Sequence, residues 1–168
     1  MGAVRSNILG ALATLLAAVG VCFVAPGPVA AADSDVPFEA RLSGTATFTS
    51  PTSAEFQGAG TATHLGRVTN GGIAILGPPT DGCPDGAQGI PNVHTETLTA
   101  ANGDELMIRM VNLACPTGPA SFHGTGRWTV IGGTGRFVNV TGAGSIEGNA
   151  DFATNTFELT LSGALSRP

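Results

Sequence analysis

The chain is 168 residues long and sets seven basic side chains against twelve acidic ones, a formal net charge of −5. No basic patch is available to displace counterions, which argues against a nucleic-acid partner and against docking on an anionic membrane surface. The length left after a short N-terminal segment suffices for one domain with one hydrophobic core and is too small for two comfortable ones.

Arg5 is the only charge ahead of an 18-residue uncharged run from Ile8 to Ala25. This is the n-region and h-region pattern of a secretory signal peptide. Pro26, Gly27 and Pro28 stop a helix, and Val29-Ala30-Ala31-Ala32 leads into Asp33. Ala30 and Ala32 fit the small-x-small preference, so cleavage is expected between Ala32 and Asp33, with residues 1–32 as signal peptide and 33–168 as a single mature domain. All twelve acidic residues and six of the seven arginines fall in that domain, for a formal charge of −6. The competing reading is an uncleaved anchor, because a run of this length is at the lower edge of what spans a bilayer; after cleavage no membrane span remains. Val21 precedes Cys22 where a lipoprotein needs a small residue, and a lone Arg5 is no twin-arginine signal. The expected location is therefore secreted, extracellular.

Beyond residue 33 no window holds an apolar period of 3.6, whereas period-two alternation recurs every ten to fifteen positions. In chain order, strands are predicted at about Phe38–Thr49 and Ala54–His64, with two short ones around Leu65–Thr69 and Gly72–Leu76. A longer connection, Gly77–Pro91, leads to a strand from Val93 to Ala100. Asn102-Gly103 then forms the pair that type I′ hairpin turns prefer, ahead of the row Leu106, Ile108, Met110. After a loop at Pro116–Ser121, Phe122, Gly124, Gly126, Trp128 and Val130 share one face opposite His123, Thr125, Arg127 and Thr129, until Gly132-Gly133 breaks the strand. Ile146, Gly148, Ala150 and Phe152, then Phe157, Leu159, Leu161 and Leu165, read as a closing hairpin across Ala153–Thr156. Seven or eight strands joined by short turns predict an all-β fold, a small antiparallel up-and-down β-barrel of about eight strands, because closure removes both sheet edges. A β-sandwich is the alternative. Glycines inside strands, such as Gly58, Gly124 and Gly144, suit the bending of a small barrel. The recurring Gly-Thr phrases have irregular spacing and are not repeats.

Cys83 and Cys115 are the two cysteines of the mature part, and an even pair in an exported chain is most simply a disulfide. Each is followed by proline in a turn-rich stretch, so the bridge is expected to tie two loops or strand ends. The Cys-x-x-Cys spacing of thiol-redox and metal sites is absent.

Gly132-Gly133-Thr134-Gly135-Arg136-Phe137 and the hairpin after it resemble the glycine-rich turn of dirigent and allene oxide cyclase-like barrels, over roughly residues 122–165. The resemblance implies a barrel in which Phe137 caps the core. In the enzymes of that superfamily an apolar lumen with a few polar residues steers cyclisation or coupling of a reactive lipid or phenoxy intermediate. No functional residue of the family aligns with this chain.

His94 and Glu96 stand two apart on one predicted strand and point the same way, so with His64 they are the candidate acid/base residues of a lumen. The competing role is a solvated outer face or a hydrogen-bonded cap. A three-imidazole metal site of His64, His94 and His123 is disfavoured by the phase of His123, and neither a metal nor another cofactor is expected. Asp81 and Asp85 flank Cys83 in a glycine-rich loop too poor in carboxylates for a calcium site. Asn139-Val140-Thr141 is a glycosylation sequon only in a glycosylating host. Arg109, Arg127 and Arg136 read as outward solubilising charges. The leading expectation is non-catalytic binding of a small apolar ligand or a cell-surface component. A cyclase-like enzyme in the lumen is the second reading, and an interaction module contacting partners through the Gly77–Pro91 loop is the third.

Overall fold

A computed structural model describes residues 35–166; the expected signal peptide, residues 1–32, and the expected Ala32–Asp33 cleavage site lie outside the described residues. Eight strands follow in order: β1 (Val36–Ser50), β2 (Ser53–Ala62), β3 (Gly66–Leu76), β4 (Ile90–Ala100), β5 (Glu105–Pro116), β6 (Ser121–Gly133), β7 (Gly142–Asp151) and β8 (Thr156–Leu165). Each pairs antiparallel with its sequence neighbours, and β1 pairs with β8 from Val36↔Leu165 to Thr45↔Thr156. The sheet is therefore a closed up-and-down barrel and not a sandwich, with every strand edge satisfied inside the chain.

Alternation along each strand decides what faces inward. Phe38, Ala40, Leu42 and Ala46 of β1 are buried, as are Leu106, Ile108 and Met110 of β5, while the threonines and arginines between them on most strands face outward. Strand direction reverses at every turn, so connections 63–65, 101–104 and 134–141 gather at one end of the barrel and 51–52, 77–89, 117–120 and 152–155 at the other. The first end is packed solid. Trp128 lies across the axis there, edge-on to Phe38 at 5.2 Å, and its Nε1 donates to the Ser162 carbonyl at 3.3 Å. It fits because Gly144 and Gly163 face it: a Cβ on either would come within 2.7–2.8 Å of the indole.

The Gly132–Phe137 motif closes this end. Phe137 is fully buried in the core, and Gly135 takes φ +56° under the Asp104 carboxylate, which leaves no room for a side chain. Strand β6 does not break at Gly132-Gly133 but runs through them. Ile108 pairs with Val130 and Met107 with Gly132, so Ile131 is accommodated as a bulge.

Three further sequence expectations are corrected. The two short strands predicted across 65–76 are one strand, β3, because both its neighbours hydrogen-bond it through Asn70-Gly71-Gly72. Strand β2 ends at Ala62, which places His64 in a turn with φ +68°. The Asn102-Gly103 turn is not type I′, since only Gly103 has positive φ; Ala100 N–H bonds the Asp104 carbonyl and Gly103 N–H the Ala100 carbonyl, the pattern of a longer hairpin loop with glycine in the left-handed position.

Cys83 and Cys115 are bonded, with Cα atoms 5.6 Å apart, and fasten the 77–89 connection to the end of β5. A disulfide is compatible with an oxidising compartment. Among the described residues no helix is long and apolar enough to cross a membrane.

Candidate functional site

The second end of the barrel is not filled. Inward positions there are small, namely Ala54, Ala74, Ala114, Gly124 and Gly148, and they leave an open-mouthed pocket with a cavity volume of about 90 Å³. Its wall is apolar, formed by Phe56, Ile146, Phe157 and Leu159, and its rim is aromatic. Phe48 stacks on Phe152 at 4.0 Å between ring centres, and Phe122 meets Phe152 edge-on at 6.1 Å. A Cβ on Gly124 would meet nothing within 4 Å, so this glycine opens directly onto the free space.

Polar groups enter the lining mainly from one side. Strand β4 turns Ile90, Asn92, His94, Glu96, Leu98 and Ala100 inward, and Asn92 and His94 reach the pocket. Asn112 of β5, paired with Asn92 of β4, donates from Nδ2 to Asn92 Oδ1 at 3.3 Å, and its own Oδ1 is buried without a partner. His94 forms the floor, with its ring 4.6 Å from that of Phe56.

Glu96 lies one step deeper, with no exposed side-chain surface. Its Oε1 accepts from Asn70 Nδ2, and its Oε2 stands 2.7 Å from His94 Nε2. The two atoms are in contact without an aligned hydrogen bond. A carboxylate this deep is tolerated only with such partners, since burying an unpaired one is far costlier. Gly72, opposite Glu96 on β3, makes the space: its Cβ would lie 2.6 Å from both Glu96 Oε2 and His94 Nε2. His94 Nε2 is thus turned into the wall. His94 is at the same time one of the residues that line the pocket.

Of the three candidate residues, the barrel brings His94 and Glu96 together and leaves His64 apart. His64 sits exposed in the β2–β3 turn at the packed end, with Nε2 3.1 Å from the Pro37 carbonyl oxygen. His123 pairs through Nδ1 with Asn149 Oδ1 at 3.0 Å near the pocket rim. The three histidines do not converge, and no group of three metal-ligating side chains occurs among the described residues. Arg109, Arg127 and Arg136 are exposed, as expected, with Arg136 Nε 3.5 Å from Asp104 Oδ2.

Sequence reasoning missed Asn70 and Gly72. The signal was present as a polar residue in an apolar period-two row, Val68, Asn70, Gly72, Ala74, Leu76, but splitting that stretch into two strands hid the row.

The chain matches no family model, no curated protein and no solved structure.

Proposed function

We propose that this domain is a secreted barrel that binds a small apolar molecule, or the apolar end of a larger one, in the open half of its lumen. The observation that carries the reading is the combination of an apolar wall and aromatic rim with a single buried polar floor. Small-molecule sites typically pair mostly apolar linings with a few placed polar groups. The cavity is smaller than a whole drug-sized ligand needs, so the occupant is inserted end-on with the rest leaving through the mouth.

The test is binding of N-phenyl-1-naphthylamine, followed by its fluorescence, to the wild type and to Gly124→Leu. The leucine projects into the free space without a backbone clash. Affinity should fall at least about tenfold in the variant, with the fold retained. Equal binding by both proteins would count against the pocket.

A second reading has one observation in its favour. An imidazole backed by a carboxylate at an apolar pocket floor is an acid/base arrangement, which supports a dirigent or allene oxide cyclase-like enzyme acting in the lumen. Turnover of a reactive lipid or phenolic substrate that is lost in His94→Phe, with probe binding kept, would favour it over simple binding.

A further inference from the structure

We infer that the pocket takes amphiphiles with a cationic head group, the apolar end entering the lumen and the cation resting at the aromatic rim of the mouth. The inference rests on the binding reading above and adds the charge of the part left outside. Charged side chains are unevenly shared between the two ends of the barrel. At the packed end Asp35, Glu39, Asp104 and Glu105 are matched in number by Arg41, Arg67, Arg109 and Arg136. Two of these pairs are in contact, Arg41 with Glu39 at 2.7 Å and Arg136 with Asp104 at 3.5 Å. Arg127 and Glu147 lie mid-strand on β6 and β7 and offset each other. The open end carries acids alone. Glu55 and Glu158 stand close to the starts of β2 and β8, Asp151 ends β7, and Asp81 belongs to the 77–89 connection. None of these four carboxylates is ion-paired among the described residues.

The cavity and its rim turn this asymmetry into selection. Glu158 is itself among the residues that line the pocket, as are Phe48, Phe122 and Phe152. A molecule inserted end-on leaves its head group beside that carboxylate and those rings. Phe152 stacks on Phe48 at 4.0 Å, yet Phe48 remains 46% exposed. The face of an aromatic ring attracts an ammonium group, through the negative side of its quadrupole, and repels an anion. A mouth of one sign above an apolar wall focuses its field on whatever enters. An anionic head such as a fatty carboxylate finds no arginine at this end, and the chain has no lysine.

The experiment compares decyltrimethylammonium with decanoate, both below their micelle-forming concentrations, as competitors of N-phenyl-1-naphthylamine on the folded protein at low salt. Wild type should bind the cation at least about tenfold more tightly than the anion. The ratio should shrink several-fold in about 0.5 M NaCl, as screening shortens the reach of the carboxylates. Glu158→Lys should cut the low-salt ratio at least about threefold. Glu39→Lys makes the same change of net charge at the packed end and should leave the ratio within about twofold. Phe48→Leu, which keeps the mouth apolar and removes a ring, should lower the ratio about twofold. Decanoate bound as tightly as the cation, or a bound dye that neither amphiphile displaces, overturns the inference and leaves the pocket reading standing. A ratio unmoved by Glu158→Lys, or moved as far by Glu39→Lys, overturns it as well, since the preference would then belong to the net charge and not to the mouth. Failure of both amphiphiles and of the dye to bind removes the pocket reading, and the inference with it.

Discussion

Gly72 carries no functional group, yet the geometry of the buried pair depends on it. Its missing side chain is the space in which Glu96 Oε2 and His94 Nε2 meet, and the Thr95 carbonyl oxygen stands 2.5 Å from where a Cβ would be. Gly72→Ala therefore has to displace either the pair or the backbone of β4. We expect a loss of about 1–3 kcal/mol in urea unfolding, the range for overpacking a filled site. An unchanged midpoint would mean that the pair is loosely held. A second residue acts through charge at the rim. Asp151 accepts from the backbone N–H groups of Thr154 and Ala153 and from the Ser121 hydroxyl. The Thr154 N–H first, and the Ser121 hydroxyl next, hold its carboxyl below the ordinary value of 3.8. A carboxylate lowered on folding adds stability above its unfolded value and loses it as pH falls through the folded one. The midpoint difference between wild type and Asp151→Asn should thus be full at neutral pH and shrink below pH 3.8. A difference independent of pH down to the acid unfolding limit would show that the ionised form is not what stabilises this turn.

At the scale of elements, β4, β6 and β8 were legible because their inward rows are long and phase-consistent. Leu98 and Ala100 extend the row of His94 and Glu96, and Phe157, Leu159 and Leu161 alternate with Glu158, Thr160 and Ser162. That phase alone put His94 and Glu96 on one face. Strand β3 was not legible as one element, since Asn70-Gly71-Gly72 has the composition of a turn and only pairing to β2 and β4 on both sides keeps it extended. His64 was misplaced for the related reason that a short turn at 63–65 has no strong local signal, and its left-handed residue is not a glycine. Pairing of Cys83 with Cys115 followed from their number and setting, but its place beside the pocket end needed the topology. The bridge spans a sequence separation of 32. Replacing both cysteines with alanine should cost about 3–4 kcal/mol in the chain-entropy account. Urea titration of the double variant checks this, and a loss well under 1 kcal/mol would indicate a denatured chain already constrained in this region.

The whole molecule divides its lumen between two tasks. Large side chains, Trp128, Phe38, Phe137 and Leu161, fill the end where the Gly132–Phe137 turn closes the barrel, while Ala54, Ala74, Ala114, Gly124 and Gly148 leave the disulfide end open. Stability and binding should then respond to different residues. Leu161 is fully buried on the packed side, and Leu161→Ala should lower stability by about 2–5 kcal/mol. Its affinity for N-phenyl-1-naphthylamine per folded molecule should stay within about twofold of wild type. Gly124→Leu should do the reverse, keeping the urea midpoint and losing the dye. One reporter serves both measurements, because Trp128 is the sole tryptophan, the chain has no tyrosine, and the indole is 1% exposed. Its emission should remain that of a buried indole in both variants before unfolding and shift to the red only with the global transition. If Leu161→Ala weakened the dye as strongly as Gly124→Leu, packing at one end would be setting the shape of the other. The barrel would then have to be treated as one cooperative cavity in place of a plug and a cup.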